Sequence, residues 1–108
     1  MPDDTDHLIR RLIGGDEAAP RQILDRARSS RSPILLVAAA LLADHPTEFL
    51  ARAARNATTT RDRQLVAIAE AHLDDDPELA DAFVREHLAD HPDNLLAAWI
   101  AARHTRER

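Results

Sequence analysis

His87 and His91 stand four positions apart, one helical turn, with Glu86 and Asp90 beside them. Two imidazoles at that spacing share a helix face and could hold one metal ion. The order is not the His-Glu-x-x-His of a zinc protease, and no third ligand follows at a fixed spacing, so a polar helix edge accounts for the pair better. Asp74-Asp75-Asp76 offers three adjacent carboxylates. It lacks the alternating ligands, the glycine and the closing glutamate of a calcium loop. Capping of helix ends and the macrodipole explain an acidic run of this kind. Asp44-His45 and Asp90-His91 could pair as acid and base, but neither a nucleophile elbow nor a glycine-rich phosphate loop accompanies them. Each pair precedes a proline, which biases its predecessor toward extended backbone, so turn residues are expected. The sequence thus predicts no catalytic residue, no metal and no cofactor.

Helices must position whatever these residues do. Strand signals are nearly absent, because no alternating apolar run is bounded by turn residues. Prolines and caps divide the chain into about seven helices. The first, Asp3 to Ile13, carries Leu8, Ile9, Leu12 and Ile13 on one face and ends at Gly14-Gly15. Asp16 is expected to cap the second, which turns Ile23, Leu24 and Ala27 inward. Ser32-Pro33 opens the third, Pro33 to Ala43, which is apolar on every side and therefore belongs at the centre of a bundle. Pro46 opens the fourth, with Phe49, Leu50, Ala53 and Ala54 as its stripe. Thr58-Thr59-Thr60 breaks it, since threonines favour caps over helix interiors. The fifth runs from Arg61 to Leu73, the sixth from Pro77 to Ala89 over Leu79, Ala80, Phe83, Val84 and Leu88, and the seventh from Pro92 to about His104 over Leu95, Leu96, Trp99 and Ile100. Connections this short force neighbouring helices to run antiparallel.

Composition excludes several functions. The chain has 108 residues, room for one domain, and alanine is the commonest residue in its 44% apolar content, with Phe49, Phe83 and Trp99 as the aromatics. A core of this kind needs close helix–helix approach over small side chains. Without cysteine, disulfides and thiolate sites are impossible. All 14 basic residues are arginine, the mark of a high-GC genome, and net charge is −5 with no basic stripe; nucleic-acid binding is disfavoured. The longest apolar run, Ile34 to Ala43, is half of the ~20 residues that a bilayer span needs. The expectation is a cytoplasmic protein without membrane contact.

Leu42-Ala43-Asp44-His45-Pro46 recurs letter for letter as Leu88-Ala89-Asp90-His91-Pro92, 46 positions later. Each copy separates two apolar helical runs, as in a stacked helical repeat. Residues 61–103 resemble a divergent tetratricopeptide repeat followed by the first helix of another. Asp75-Asp76-Pro77 occupies the turn, Ala80 matches the small residue that lets the paired helices touch, Pro92 matches the terminal proline, and Val84 and Leu88 match apolar contacts of the second helix. The pattern departs where Asp75 replaces a frequent glycine, where Ala71 or His72 replaces an aromatic, and where His87 replaces a small residue. The echo of 46 residues also exceeds the family period of about 34.

The resemblance implies an all-α array of antiparallel hairpins forming a right-handed superhelix, with residues 1–57 as degenerate hairpins and 58–105 as the repeat-like unit plus final helix, in a single domain 1–108. It implies a non-catalytic interaction module that holds a peptide or helix of another protein in a groove. In such arrays basic and amide side chains of the inner surface often grip a peptide carboxylate; Arg61 and Arg63, with Asn56 nearby, suit that role here, since arginine pairs carboxylates bidentately. Trp99 and Arg103 on the last helix are further candidate contacts. The alternative is a homo-oligomerising structural or regulatory bundle that associates through that helix. A small all-α enzyme would require a shielded pocket lined by at least two of His72, His87 and His91.

Overall fold

Seven helices make up the computed structural model, which describes the backbone of residues 4–107 and the side chains of residues 5–102. They are α1 (Asp4–Ile13), α2 (Ala19–Ala27), α3 (Pro33–Leu42), α4 (Thr47–Asn56), α5 (Thr60–Leu73), α6 (Pro77–Asp90) and α7 (Leu95–Glu107). No strand occurs among the described residues. None of these helices is long and apolar enough to cross a membrane.

The punctuation follows local chemistry. The N–H of Leu35 donates to the Ser32 hydroxyl at 3.4 Å, with Pro33 opening α3. Thr59 caps α5 by accepting from the N–H of Asp62 at 3.1 Å, and Asp76 caps α6 by accepting from Leu79 at 3.2 Å. Two helices end in the same six-residue motif. At α1, Gly15 takes φ 86° while Asp16 N–H returns to Arg11 O and Gly15 N–H to Leu12 O. At α5, Asp75 takes φ 60° while Asp76 N–H returns to Ala71 O and Asp75 N–H to His72 O. This is the Schellman closure, which requires a left-handed residue. The aspartate run therefore does three backbone jobs: Asp74 ends α5, Asp75 turns left-handed, and Asp76 starts α6.

Several boundaries differ from expectation. α2 begins at Ala19, not at Asp16. The Asp16 carboxylate accepts from Ala18 N–H at 2.9 Å and pairs with Arg11 at 2.7 Å, which holds its pKa below the usual value and makes it a turn residue. α7 begins at Leu95 because Asn94 caps it: the Asn94 Oδ1 accepts from Ala97 N–H at 3.3 Å. The two copies of Leu-Ala-Asp-His-Pro are folded differently. Ala89 and Asp90 still belong to α6, whereas Ala43 and Asp44 have already left α3.

α3 sits at the centre, with Leu35, Leu36, Val37, Ala38, Ala39 and Ala40 all buried. An apolar surface on every side suits a helix surrounded by others, and α3 touches α1, α2, α4 and α5. Each helix packs against the next in the chain, and the odd-numbered helices also meet one another, α1 with α3, α3 with α5, and α5 with α7. α1 touches α7 as well, so the first and last helices come together, and the molecule measures 32 × 29 × 29 Å. Buried alanines at 19, 27, 53, 69, 80 and 97 permit these close approaches. Not every expected core position is filled: Leu79 is 43% exposed, Leu95 is 39% exposed, and Ala54 faces outward.

One long side chain ties the layers. Arg52 of α4 donates through Nη1 to Ala27 O at 3.0 Å and through Nη2 to Ser30 O at 2.8 Å. These carbonyls lie at and beyond the C-terminus of α2, where unpaired oxygens and the negative end of the helix dipole favour a cation.

Candidate functional site

A cleft of about 600 Å³ opens among the described residues. The first turns of α3, α5 and α7 reach it through Ile34, Arg61, and Leu95 with Leu96, and the opening turns of α1 reach it through Thr5, Asp6, His7, Ile9 and Arg10. Asp93 and Asn94 complete the wall. The amino-terminal ends of all four odd-numbered helices therefore converge on one opening. Each such end carries N–H groups with no intrahelical acceptor and a partial positive charge.

Charges in the cleft are unequal in their engagement. Arg10 Nε pairs with Asp6 Oδ2 at 2.9 Å across one turn of α1. Among the described residues Arg61 makes no such pair, and its Nε is buried without a hydrogen-bond acceptor there. A buried, unsatisfied guanidinium nitrogen is uncommon, because losing water without gaining a partner is costly. Ile9, Ile34 and Leu96 supply apolar wall beside it. The arrangement can hold an anion with an attached apolar group.

The expected contact residues are not gathered in one place. Arg61 and Arg63 are two positions apart on α5, which places them roughly 200° apart around the helix. Arg63 lines a different cleft of about 340 Å³ with Thr60, Gln64, Ala67, Phe83 and Glu86. Asn56 is occupied at the end of α4, its Nδ2 donating to Arg52 O at 2.8 Å. Trp99 is half-buried and packs against the core. The side chain of Arg103 lies outside the described residues.

His87 is not the polar helix edge the sequence suggested. It is fully buried, with Nδ1 2.8 Å from Gln64 Oε1 and Nε2 2.8 Å from Asn94 Nδ2. The proton positions follow by elimination. Asn94 Oδ1 faces Ala97 N–H, so its amide nitrogen faces the imidazole and can only donate. His87 Nε2 must then carry a lone pair and Nδ1 the proton, which Gln64 Oε1 accepts. Burial is the main cause that lowers the His87 pKa from its ordinary 6.5, and the nearby His91 and Arg61 add to it while Asp90 opposes. The His91 ring centroid is 5.0 Å away. Both His87 nitrogens are engaged, and no group of three or more His, Cys, Asp or Glu among the described residues is placed to hold a metal. Neither of the clefts described here is lined by His72, His87 or His91.

Two signals for this network were present in the chain. Ala80, Val84 and His87 fall on one helical face, so the histidine continues the apolar register inward. Asn94 directly precedes Leu95-Leu96 and is a preferred cap residue. The side-chain meeting between them depends on how α6 and α7 pack. Comparison with protein-family models, with curated proteins and with solved structures finds no match.

Proposed function

We propose that this protein is a non-catalytic interaction module that binds a peptide segment of another protein in the 600 Å³ cleft, with Arg61 gripping a carboxylate of the partner. One observation carries this reading: Arg61 presents a buried guanidinium nitrogen with no acceptor at an opening where four helix amino termini converge. The volume lies within the range of roughly 300–1,000 Å³ typical of ligand clefts. Contacts between consecutive helices and between alternate ones support a tetratricopeptide-like stack of antiparallel hairpins. The groove in this reading is the junction of the four odd-numbered helices, not an open concave face. The alternative, self-association through the last helix, has less support: α7 turns Leu96, Ala97 and Ile100 into its own core and leaves Leu95 exposed.

The test is an NMR titration with a short apolar peptide carrying a free C-terminal carboxylate, and with the same peptide amidated. Backbone shifts at Ile9, Ile34, Leu95 and Leu96 are expected with the free acid. A charge-assisted bidentate pair is worth about 1.5–3 kcal/mol, so amidation or Arg61→Gln should weaken binding roughly tenfold or more. Equal affinity of both peptides, or an Arg61→Gln protein that binds as wild type does, would reject the reading. Sedimentation at several concentrations tests the alternative, which predicts concentration-dependent mass.

A further inference from the structure

Asn94 serves two neighbours with one amide group, its nitrogen meeting His87 and its oxygen accepting from Ala97 N–H. While the imidazole is neutral, Asn94 gives its amide nitrogen to Nε2 at 2.8 Å and keeps Oδ1 on Ala97 N–H at 3.3 Å, which caps α7. Once Nε2 is protonated, two donors face each other across that short distance. The amide relieves this by rotating about its Cβ–Cγ bond and offering Oδ1 to the imidazolium, whereupon the cap on α7 is lost. We propose that the Gln64–His87–Asn94 chain is an acid-released latch that holds the start of α7 in place, and that protonating His87 frees this turn and with it one wall of the cleft.

The groups that set the proton affinity lie on each element around the ring. His91, the cap that follows α6, and Arg61 of α5 both repel an added positive charge, whereas Asp90 of α6 attracts one. Gln64 from α5 and Asn94 before α7 are uncharged, and Asp93 is the carboxylate next to the cap. The side-chain chain also spans both clefts, since Gln64 lines one and Asn94 the other.

The direction of the effect follows from linkage. The folded state binds this proton less readily than an unfolded chain, whose histidine titrates near 6.5. The latch is therefore complete above pH 6.5 and weakens as pH falls from 6.5 toward the lower folded value. One proton shifts the equilibrium by at most about tenfold per pH unit across that window. The consequence for binding rests on the cleft being a ligand site; the release of α7 does not.

Amide hydrogen exchange on the full chain, corrected for intrinsic chemistry, tests it without any ligand. Exchange at Ala97 should rise severalfold per pH unit as pH falls from 6.5, while the central α3 amides exchange more slowly and only with global unfolding. Two variants separate the latch from general acid instability. His87→Gln keeps one donor and one acceptor without a titrating group, so protection at Ala97 should become insensitive to pH in this window. Asn94→Asp supplies one oxygen to the cap and another to an imidazolium, so protection should instead fall as pH rises. An imidazole protonated on Nε2 at pH 7.5 in long-range nitrogen-proton spectra, or the same acid sensitivity in wild type and both variants, would overturn the proposal. Arg61→Gln removes one of the charges that repel the His87 proton, so it should narrow the acid window at Ala97 without abolishing the release, even where peptide binding is lost.

Discussion

Arg52 offers a direct test of how the outer helices are tied to the centre. Its guanidinium spans two carbonyls, Ala27 O at 3.0 Å and Ser30 O at 2.8 Å, in a partly buried setting. Replacing it with methionine keeps most of the aliphatic stem and removes both bonds. Hydrogen bonds from a charged donor contribute about 1.5–3 kcal/mol each when well shielded. Here solvent reaches part of the site and the freed carbonyls can rehydrate, which lowers the sum for the pair to about 2 kcal/mol. Arg52→Lys should recover roughly half of that, because an ammonium acts as a point charge and lacks the rigid fork. Urea unfolding of wild type and both variants supplies the numbers, with the slope checked for constancy so that midpoint changes report stability. A methionine variant within about 0.5 kcal/mol of wild type would refute the tie. A lysine variant as stable as wild type would show that two-pronged geometry contributes nothing.

Two further outcomes bear on the fold. Asp75 holds a left-handed φ of 60°, so Asp75→Gly should unfold at equal or higher denaturant than wild type, while Asp75→Ala should lose about 1 kcal/mol; equal stability of the two variants would remove the argument from backbone strain. Ala39 is fully buried at the centre of α3. Ala39→Leu should cost about 1–3 kcal/mol through overpacking, and a thermal midpoint at or above that of wild type would mean that the helices approach less closely than described.

Sequence alone determined the number and type of the elements, because their signals are local. Ser32, Thr59 and Asp76 cap helices through oxygens that reach only three residues onward. Gly15 closes α1 in a left-handed conformation whatever packs against it, whereas the left-handed backbone of Asp75 became visible only in the structure. The centrality of α3 was equally legible, since a helix with no polar face has to be surrounded. Arg61 was singled out by residue type, and two positions on a helix already part it from Arg63, but which of the two enters the 600 Å³ cleft followed only from the packing of α5.

The tertiary structure decided what the repeated pentapeptide could not. Leu42-Ala43-Asp44-His45-Pro46 and Leu88-Ala89-Asp90-His91-Pro92 are identical, yet α3 ends at Leu42 while α6 continues to Asp90. The residues that differ are outside the repeat. His87 and Asn94 correspond to Leu41 and Glu48 in the first copy, and only the second pair can form a buried hydrogen bond between the end of one helix and the cap of the next. Five shared letters carry the same propensities. Partners brought together from 64, 87 and 94 require α5, α6 and α7 to be already packed, and that long-range meeting is what gave one copy a latch and left the other a turn.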